Sequence, residues 1–89
     1  MKGIVFTELV EMVEGRFGLE TADVMLDPQG LASGGVYAAT DTYAHDEIVV
    51  LLGRLSASTG LSVAELLYAY GDHLFDRLRS LFPPFFEAP

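Results

Sequence analysis

The chain has 89 residues, a net charge of −8 with only five basic residues, and no cysteine. A chain this short forms one domain at most, so residues 1–89 are predicted to be a single unit. The acidic balance argues against nucleic acid and anionic membranes as partners, which require clustered Lys and Arg, and the missing cysteines exclude disulfides and thiolate metal sites.

The first predicted helix covers residues 3–17. Three glutamates, Glu8, Glu11 and Glu14, are expected largely opposite its apolar stripe, and Gly18 is expected to end it in a left-handed conformation. The glutamates interrupt every apolar run far short of the ~20 residues of a membrane span, and no signal peptide is recognisable, so we expect a cytoplasmic protein. The stripe comprises Val5, Leu9, Met12, Val13 and Phe17, widened by Ile4 and Val10.

A short second helix is predicted over residues 20–27, with Val24 and Met25 facing the core. Residues 28–41 then form a loop, because Pro, Gln and Gly stop the helix. Residues 33–35, Ser-Gly-Gly, match none of the glycine patterns that bind phosphate. They are therefore predicted to be a flexible or left-handed turn.

A third helix is predicted over residues 44–58, with Thr42 as its N-cap and Gly60 as its stop. Asp46 and Glu47 lie in its first turn, where the helix dipole favours negative charge. Its apolar stripe consists of Ile48, Leu51, Leu52 and Leu55.

The fourth helix has the clearest start signal, a capping box formed by Ser62 and Glu65. Pro83 and Pro84 are predicted to end it. With no convincing strand anywhere, the four helices predict an all-α fold. The apolar face of the fourth helix comprises Val63, Leu66, Leu67, Tyr70, Leu74, Leu78 and Leu81.

The sequence contains no motif for catalysis, so we expect no enzyme. His45 is predicted to be a solvated surface residue, and His73 a partly buried or surface residue beside Arg77. Asp72 and Asp76 are four residues apart, but they are predicted to belong to a solvated helix face. No metal site is therefore predicted.

Three stretches resemble the H-NOX family, the haem–nitric oxide/oxygen-binding domains: MKGIVFTELVEMVEGRFG, STGLSVAELLYAYGDHLF and LFPPFF. The resemblance covers essentially all 89 residues and implies the four-helix N-terminal, distal subdomain of the larger α/β H-NOX fold. It also implies haem b as the cofactor of the complete domain. The family's axial histidine and its Tyr-x-Ser-x-Arg motif belong to the other half, so this chain alone is expected to bind haem weakly or not at all, with His73 as a fallback ligand.

The resemblance also assigns positions in the distal haem pocket. Family members that hold oxygen use a hydrogen-bonding network, partly from positions that match Leu9 and Leu74. Both residues are aliphatic here, so the resemblance implies a response to nitric oxide, and to carbon monoxide, rather than stable oxygen binding. The positions that match the distal pocket are Val5, Leu9, Leu74, Leu78 and Phe82.

Two hypotheses about function follow. In the first, the chain is the distal part of a haem-based gas sensor; its partner is the missing C-terminal half, and the family implies control of a histidine kinase or a cyclic-nucleotide enzyme. In the alternative, the chain is a haem-free helical module that docks on another protein or on a second copy of itself. That alternative depends on the aromatic tail, Leu81, Phe82, Phe85 and Phe86.

Overall fold

The computed structural model describes residues 1–82, which form four α-helices and contain no strand. The all-α prediction is confirmed; the predicted bounds of the first helix are those observed, and those of the second and third differ by one or two residues. Pro83 and Pro84, which were predicted to end the fourth helix, lie outside the described residues. The single unit over residues 1–89 also stays a prediction. The helices are α1 (Gly3–Phe17), α2 (Leu19–Met25), α3 (His45–Thr59) and α4 (Val63–Leu81).

The core lies where α1, α2, α3 and the first half of α4 meet. All four residues of the predicted α3 stripe are buried, which confirms that prediction. Removing these side chains from water supplies the main favourable free energy of folding, about 25 cal/mol per Å² of apolar surface. The largest fully buried side chains are Phe6, Leu9, Val13, Met25, Leu51, Leu55 and Leu66.

The predicted stripe of α1 is confirmed at Leu9, Met12 and Val13, but the buried face is wider than predicted. Phe6 is fully buried and Ile4 is about half-exposed. Glu8, predicted on the polar side, is only 7% exposed, whereas Glu11 is exposed as expected. Phe6 is buried because it stacks on Tyr37 at 4.5 Å between ring centroids, and Tyr37 lies in a loop that has no helical period.

Helix α2 follows α1 directly through Gly18, which has φ 94° and ψ 165°. The positive φ agrees with the sequence, but the extended ψ does not, so the left-handed helical conformation predicted at Gly18 is wrong. Met25 and Ala22 are buried, whereas Val24 is 58% exposed, contrary to the prediction. Residues three apart share a helix face, and Val24 lies about 100° away from Met25.

Apart from Gly18, the predicted helix-terminus signals are confirmed at two positions and wrong at one. In the capping box, the Glu65 N–H donates to Ser62 Oγ at 3.1 Å and the Ser62 N–H donates to Glu65 Oε1 at 3.1 Å. Gly60 is left-handed, with φ 77°. The predicted N-cap Thr42 is wrong, because it pairs with Lys2 in an isolated β-bridge and α3 begins after Ala44.

The loop between α2 and α3 is fixed by a buried carboxylate on α3. Glu47 Oε1 accepts hydrogen bonds from Ser33 Oγ at 2.5 Å and from the Tyr37 hydroxyl at 3.0 Å. The Ser33 side-chain hydrogen bond is the main cause that holds the pKa of Glu47 below its usual range. Gly34 and Gly35 both have φ above 70°, which confirms the left-handed turn predicted there.

Helices of this length and composition raise the question of membrane insertion. Within residues 1–82 no single helix is long and apolar enough to cross a membrane. Helices α3 and α4 pass such a test only as a pair, bent by 107°.

We predict that Gly35→Ala destabilises the fold much more than Gly34→Ala. Both glycines have φ above 70°, so alanine costs about 1–2 kcal/mol at either position. At Gly35 the added Cβ would also lie 2.1 Å from the Leu26 carbonyl oxygen, whereas at Gly34 nothing lies within 4 Å. Urea unfolding should give a loss of about 3 kcal/mol or more for Gly35→Ala, and equal losses for both variants would contradict the prediction.

Candidate functional site

The apolar face of α4 is covered only in part, since Leu66 and Tyr70 are buried but Val63 and Leu67 are exposed. From residue 71 to residue 81 every side chain except His73 is exposed. Leu74 is 37% and Leu78 is 48% exposed, and with Leu81 they form what we call the α4 strip. A continuous apolar strip on a small protein marks a surface that binds something. The buried residues of the first half are Leu66, Ala69 and Tyr70.

A first cleft of about 510 Å³ lies between α1, α3 and the first half of α4. Val5 and Leu9, two of the predicted distal-pocket residues, line it together. Its volume falls in the usual range of ligand pockets, about 300–1,000 Å³. Its other lining residues are Met1, His45, Ile48, Val49, Leu52, Gly53, Val63, Leu67 and Tyr70.

A second cleft of about 270 Å³ lies between α1 and the second half of α4. It brings together Leu74 and Leu78, the next two predicted distal-pocket residues. The α1 side of this cleft is formed by Ile4 and Glu8. Phe82, the fifth, directly follows α4 and is exposed. The two clefts lie side by side along the contact between α1 and α4, which we call the α1–α4 groove, and four of the five predicted residues line them. Phe82 lines neither cleft, and the assignment of all five to a haem pocket stays a prediction.

Tyr70 joins α4 to α1 at the wall of the first cleft. Its hydroxyl donates to the Val5 carbonyl oxygen at 2.5 Å. Burial, helped by the charge of Glu8, raises the pKa of Tyr70 to about 12. The sequence analysis placed Tyr70 in the apolar stripe of α4. The spacing of residues along one helix could not predict its hydrogen bond to α1.

Glu8 is the second link between α1 and α4. Its Oε1 accepts from Arg77 Nε at 2.9 Å and lies 3.1 Å from His73 Nε2. Arg77 Nη2 lies 3.4 Å from Glu8 Oε2, and Arg77 Nη1 lies 3.6 Å from Glu11 Oε1. A buried carboxylate is costly unless it is paired and hydrogen-bonded, and these contacts meet that requirement.

The same residues have ligand types that suit a divalent cation. One ligand atom from each of Glu8, Glu11 and His73 lies within 4.8 Å of the other two. The Arg77 guanidinium already contacts both carboxylates and supplies the compensating positive charge. We therefore assign the cluster to ion pairing.

Other predicted surface features agree with the structure. His45 is exposed and His73 is partly buried, as expected, and Asp72 and Asp76 are exposed. In the tail that the alternative hypothesis invokes, Leu81 and Phe82 are exposed, and Phe85 and Phe86 lie outside the described residues.

Solved structures share this arrangement of helices. The Fe(II) unliganded H-NOX protein from K. algicida is 41% identical, with a TM-score of 0.85, and its alanine-to-glycine mutant is 42% identical, with a TM-score of 0.86. In each case the match covers 96% of this chain and 46% of the other. The IWP-051-bound H-NOX from Shewanella woodyi, in the Fe(II)CO state, is 38% identical with a TM-score of 0.76, over 96% of this chain and 45% of that one. No curated protein sequence matches the chain significantly.

These matches define the four helices as the N-terminal helical subdomain of a haem sensor fold. The model of the family described as Haem-NO-binding matches residues 2–89. The chain belongs to this family, H-NOX, whose domains bind haem and act as gas sensors. It spans slightly less than half the length of the H-NOX structures that it matches.

We predict that Tyr70→Phe lowers the free energy of unfolding by about 1 kcal/mol at neutral pH, because it removes one hydrogen bond between helices. The pKa of Tyr70 is raised from 10.0 to about 12, so above pH 10 the unfolded chain ionises this hydroxyl before the folded chain does. Wild-type stability therefore falls as pH rises from 10 towards 12, and phenylalanine removes that part of the fall.

Urea titrations of both proteins between pH 8 and pH 12 test this. The difference in stability between wild type and Tyr70→Phe should shrink above pH 10. A difference that stays constant across this range would contradict the assignment. Other tyrosines contribute equally to both proteins and cancel in the comparison.

Proposed function

We propose that the chain forms the distal wall of the haem pocket in a cytoplasmic gas sensor that responds to nitric oxide. The observation that carries the proposal is the exposed α4 strip, in a chain that spans less than half of the related H-NOX structures. An apolar strip of this kind fits the face of a porphyrin, which is itself apolar. When bound, haem would supply the ferrous iron that takes up the gas.

The side chains available along the groove fit one face of a haem. Val5 and Leu9 from α1, and Leu74 and Leu78 from α4, offer apolar contact. Their role would be to exclude water and to limit the space above the iron. The axial histidine and the propionate contacts would come from the other half of the domain, as the family resemblance implies.

The polar groups along the groove support nitric oxide over oxygen. Bound oxygen is polarised and is held by a hydrogen-bond donor, whereas nitric oxide binds ferrous haem without one. Leu9 and Leu74 offer no donor, and two donors close to them are engaged within the chain. The Tyr70 hydroxyl donates to the Val5 carbonyl oxygen, and Arg77 Nε donates to Glu8.

A sensor needs an output, and the chain carries no catalytic motif of its own. We propose a histidine kinase or a cyclic-nucleotide enzyme as the protein controlled by the complete domain, as the resemblance implies. The first partner of this chain would then be the C-terminal half of an H-NOX domain.

The test is a chimera of this chain with the part of the K. algicida H-NOX chain that the match leaves uncovered. We expect the chimera to bind haem stoichiometrically, with a sharp ferrous Soret band that shifts with nitric oxide and with carbon monoxide. We expect the 89-residue chain alone to show weak haemin binding or none.

Three outcomes would contradict the proposal. One is a folded chimera, by circular dichroism, that takes up no haem. The second is a chimera whose ferrous form holds oxygen stably in air. The third is a chain that alone binds haem tightly and loses it on His73→Gln, since His73 would then be the ligand. Light scattering on the chain alone tests self-association, the basis of the alternative hypothesis.

A further prediction concerns oxygen. In the chimera, Leu74→Tyr adds a hydroxyl donor to the proposed distal wall and should slow oxygen dissociation on the order of tenfold, since one hydrogen bond is worth about 1 kcal/mol. Leu74→Phe has a similar shape without the hydroxyl and should not slow it. Stopped-flow measurements of oxygen release separate the two, and equal rates would show that residue 74 does not reach the bound gas.

A further inference from the structure

We propose that Glu8 is a positioning residue, which fixes the second half of α4 against α1 and thereby sets the shape of the proposed distal wall. The effect of Glu8 on the haem pocket rests on the proposed function. Its effect on the position of α4, the structural part, concerns this chain alone. Glu8 does not have to touch haem or gas for this role.

The polar contacts between α1 and α4 form a line along the groove. On α4 they come at positions 70, 73 and 77, a spacing that puts three side chains on one helix face. We call this line the polar seam. It consists of Tyr70, His73 and Arg77 from α4, and of the Val5 carbonyl, Glu8 and Glu11 from α1.

Glu8 is the centre of the seam because it contacts two residues on α4. Its side chain is 10% exposed, against 51% for Glu11, so its pairing with His73 and Arg77 is the best shielded from solvent. Exposed ion pairs contribute little to stability, whereas removing one partner of a shielded pair leaves the other without its compensating charge. Within the seam, the loss of Glu8 therefore matters more than the loss of Glu11.

The seam lies where apolar packing of α4 ends. The first half of the helix is held by Leu66, Ala69 and Tyr70, whereas residues 71–81 are exposed apart from His73. Hydrogen bonds and ion pairs are directional, so they fix a rotation of the helix that an exposed apolar surface cannot fix. The second half of α4 takes its orientation from the seam.

This orientation determines where the proposed wall residues lie. In α4 the wall residue Leu74 follows His73, and the wall residue Leu78 follows Arg77. Any rotation or lifting of α4 that breaks the contacts with Glu8 must therefore move both leucines. The second cleft contains this junction, since Glu8, Arg77, Leu74 and Leu78 all line it.

Glu8→Gln tests the structural part in the chain as it is, with Glu14→Gln, an exposed position on the same helix, as the matched control. We expect amide hydrogen exchange of residues 71–81 to accelerate on the order of tenfold in Glu8→Gln, because local opening no longer breaks a buried ion pair. Residues 63–70 should change much less. Two results for Glu8→Gln would overturn the proposal. One is an unchanged exchange rate in residues 71–81, and the other is an equal acceleration along the whole of α4.

Arg77→Met completes a double-mutant cycle with Glu8→Gln. If the two side chains act as one unit, the double variant should exchange no faster than Glu8→Gln alone. Additive effects would show that Glu8 does not act through Arg77. If Glu8→Gln does not fold, His73→Gln and Arg77→Met still test the seam from the α4 side.

The chimera tests the consequence for the wall. In its ferrous carbon monoxide complex, Glu8→Gln should shift or broaden the C–O stretching band, which reports on the groups around the gas, and Glu14→Gln should leave it unchanged. An unshifted band in a chimera that binds carbon monoxide would overturn the positioning role and leave the proposed function intact. A chimera that takes up no haem would overturn the proposed function, whereas the exchange experiment would still decide the structural part.

Discussion

The packing of Phe6 against the loop between α2 and α3 sets the rotation of α1, and much of the groove depends on it. Phe6 stacks on Tyr37, and Tyr37 is held by its hydrogen bond to Glu47. With Phe6 turned inwards, the helical period directs Val5 to the first cleft and Glu8 to α4. The hydrogen bond between Tyr37 and Glu47 thereby helps to determine which α1 residues face the groove.

The second half of α4 exposes a row of apolar side chains, whereas a small globular domain usually buries such a row. The strip of Leu74, Leu78 and Leu81 lies beside the buried face of the helix and continues the line of Val63 and Leu67, which are also exposed. Because the chain matches 46% of the related H-NOX chains, an uncovered face at this position agrees with a subdomain whose counterpart would cover it. The capping box and the Gly60 turn fix where α4 begins, so the strip is presented on a regular helix.

Two polar side chains along this groove, Tyr70 and Glu8, link α1 to α4. Tyr70 binds a backbone oxygen, and Glu8 binds two side chains of α4. This arrangement combines an apolar wall with a few directional links between its two helices. It suits a surface that must hold its shape, and the aliphatic Leu9 and Leu74 offer no hydrogen-bond donor to a bound gas, in agreement with the proposed nitric oxide response.

Features encoded by neighbouring residues were predictable from the sequence. The α3 stripe, the Ser62–Glu65 box, the Gly60 stop and the order of the four helices depend on contacts within a few residues, and the motifs of the H-NOX family are linear. The predicted wall residues Val5 with Leu9, and Leu74 with Leu78, were found together for the same reason, since each pair lies one turn apart on a helix.

Only the tertiary structure decided which face of each helix is covered, because that choice depends on residues far away in the chain. Glu8 looked like a solvated glutamate, and its partners His73 and Arg77 are 65 and 69 residues away. Val24 was placed in the core by hydropathy, but α2 turns Ala22 and Met25 inwards. The helical period fixes the angles between residues on one helix. Which of those residues are buried depends on the elements that pack against the helix, and a single sequence does not specify them.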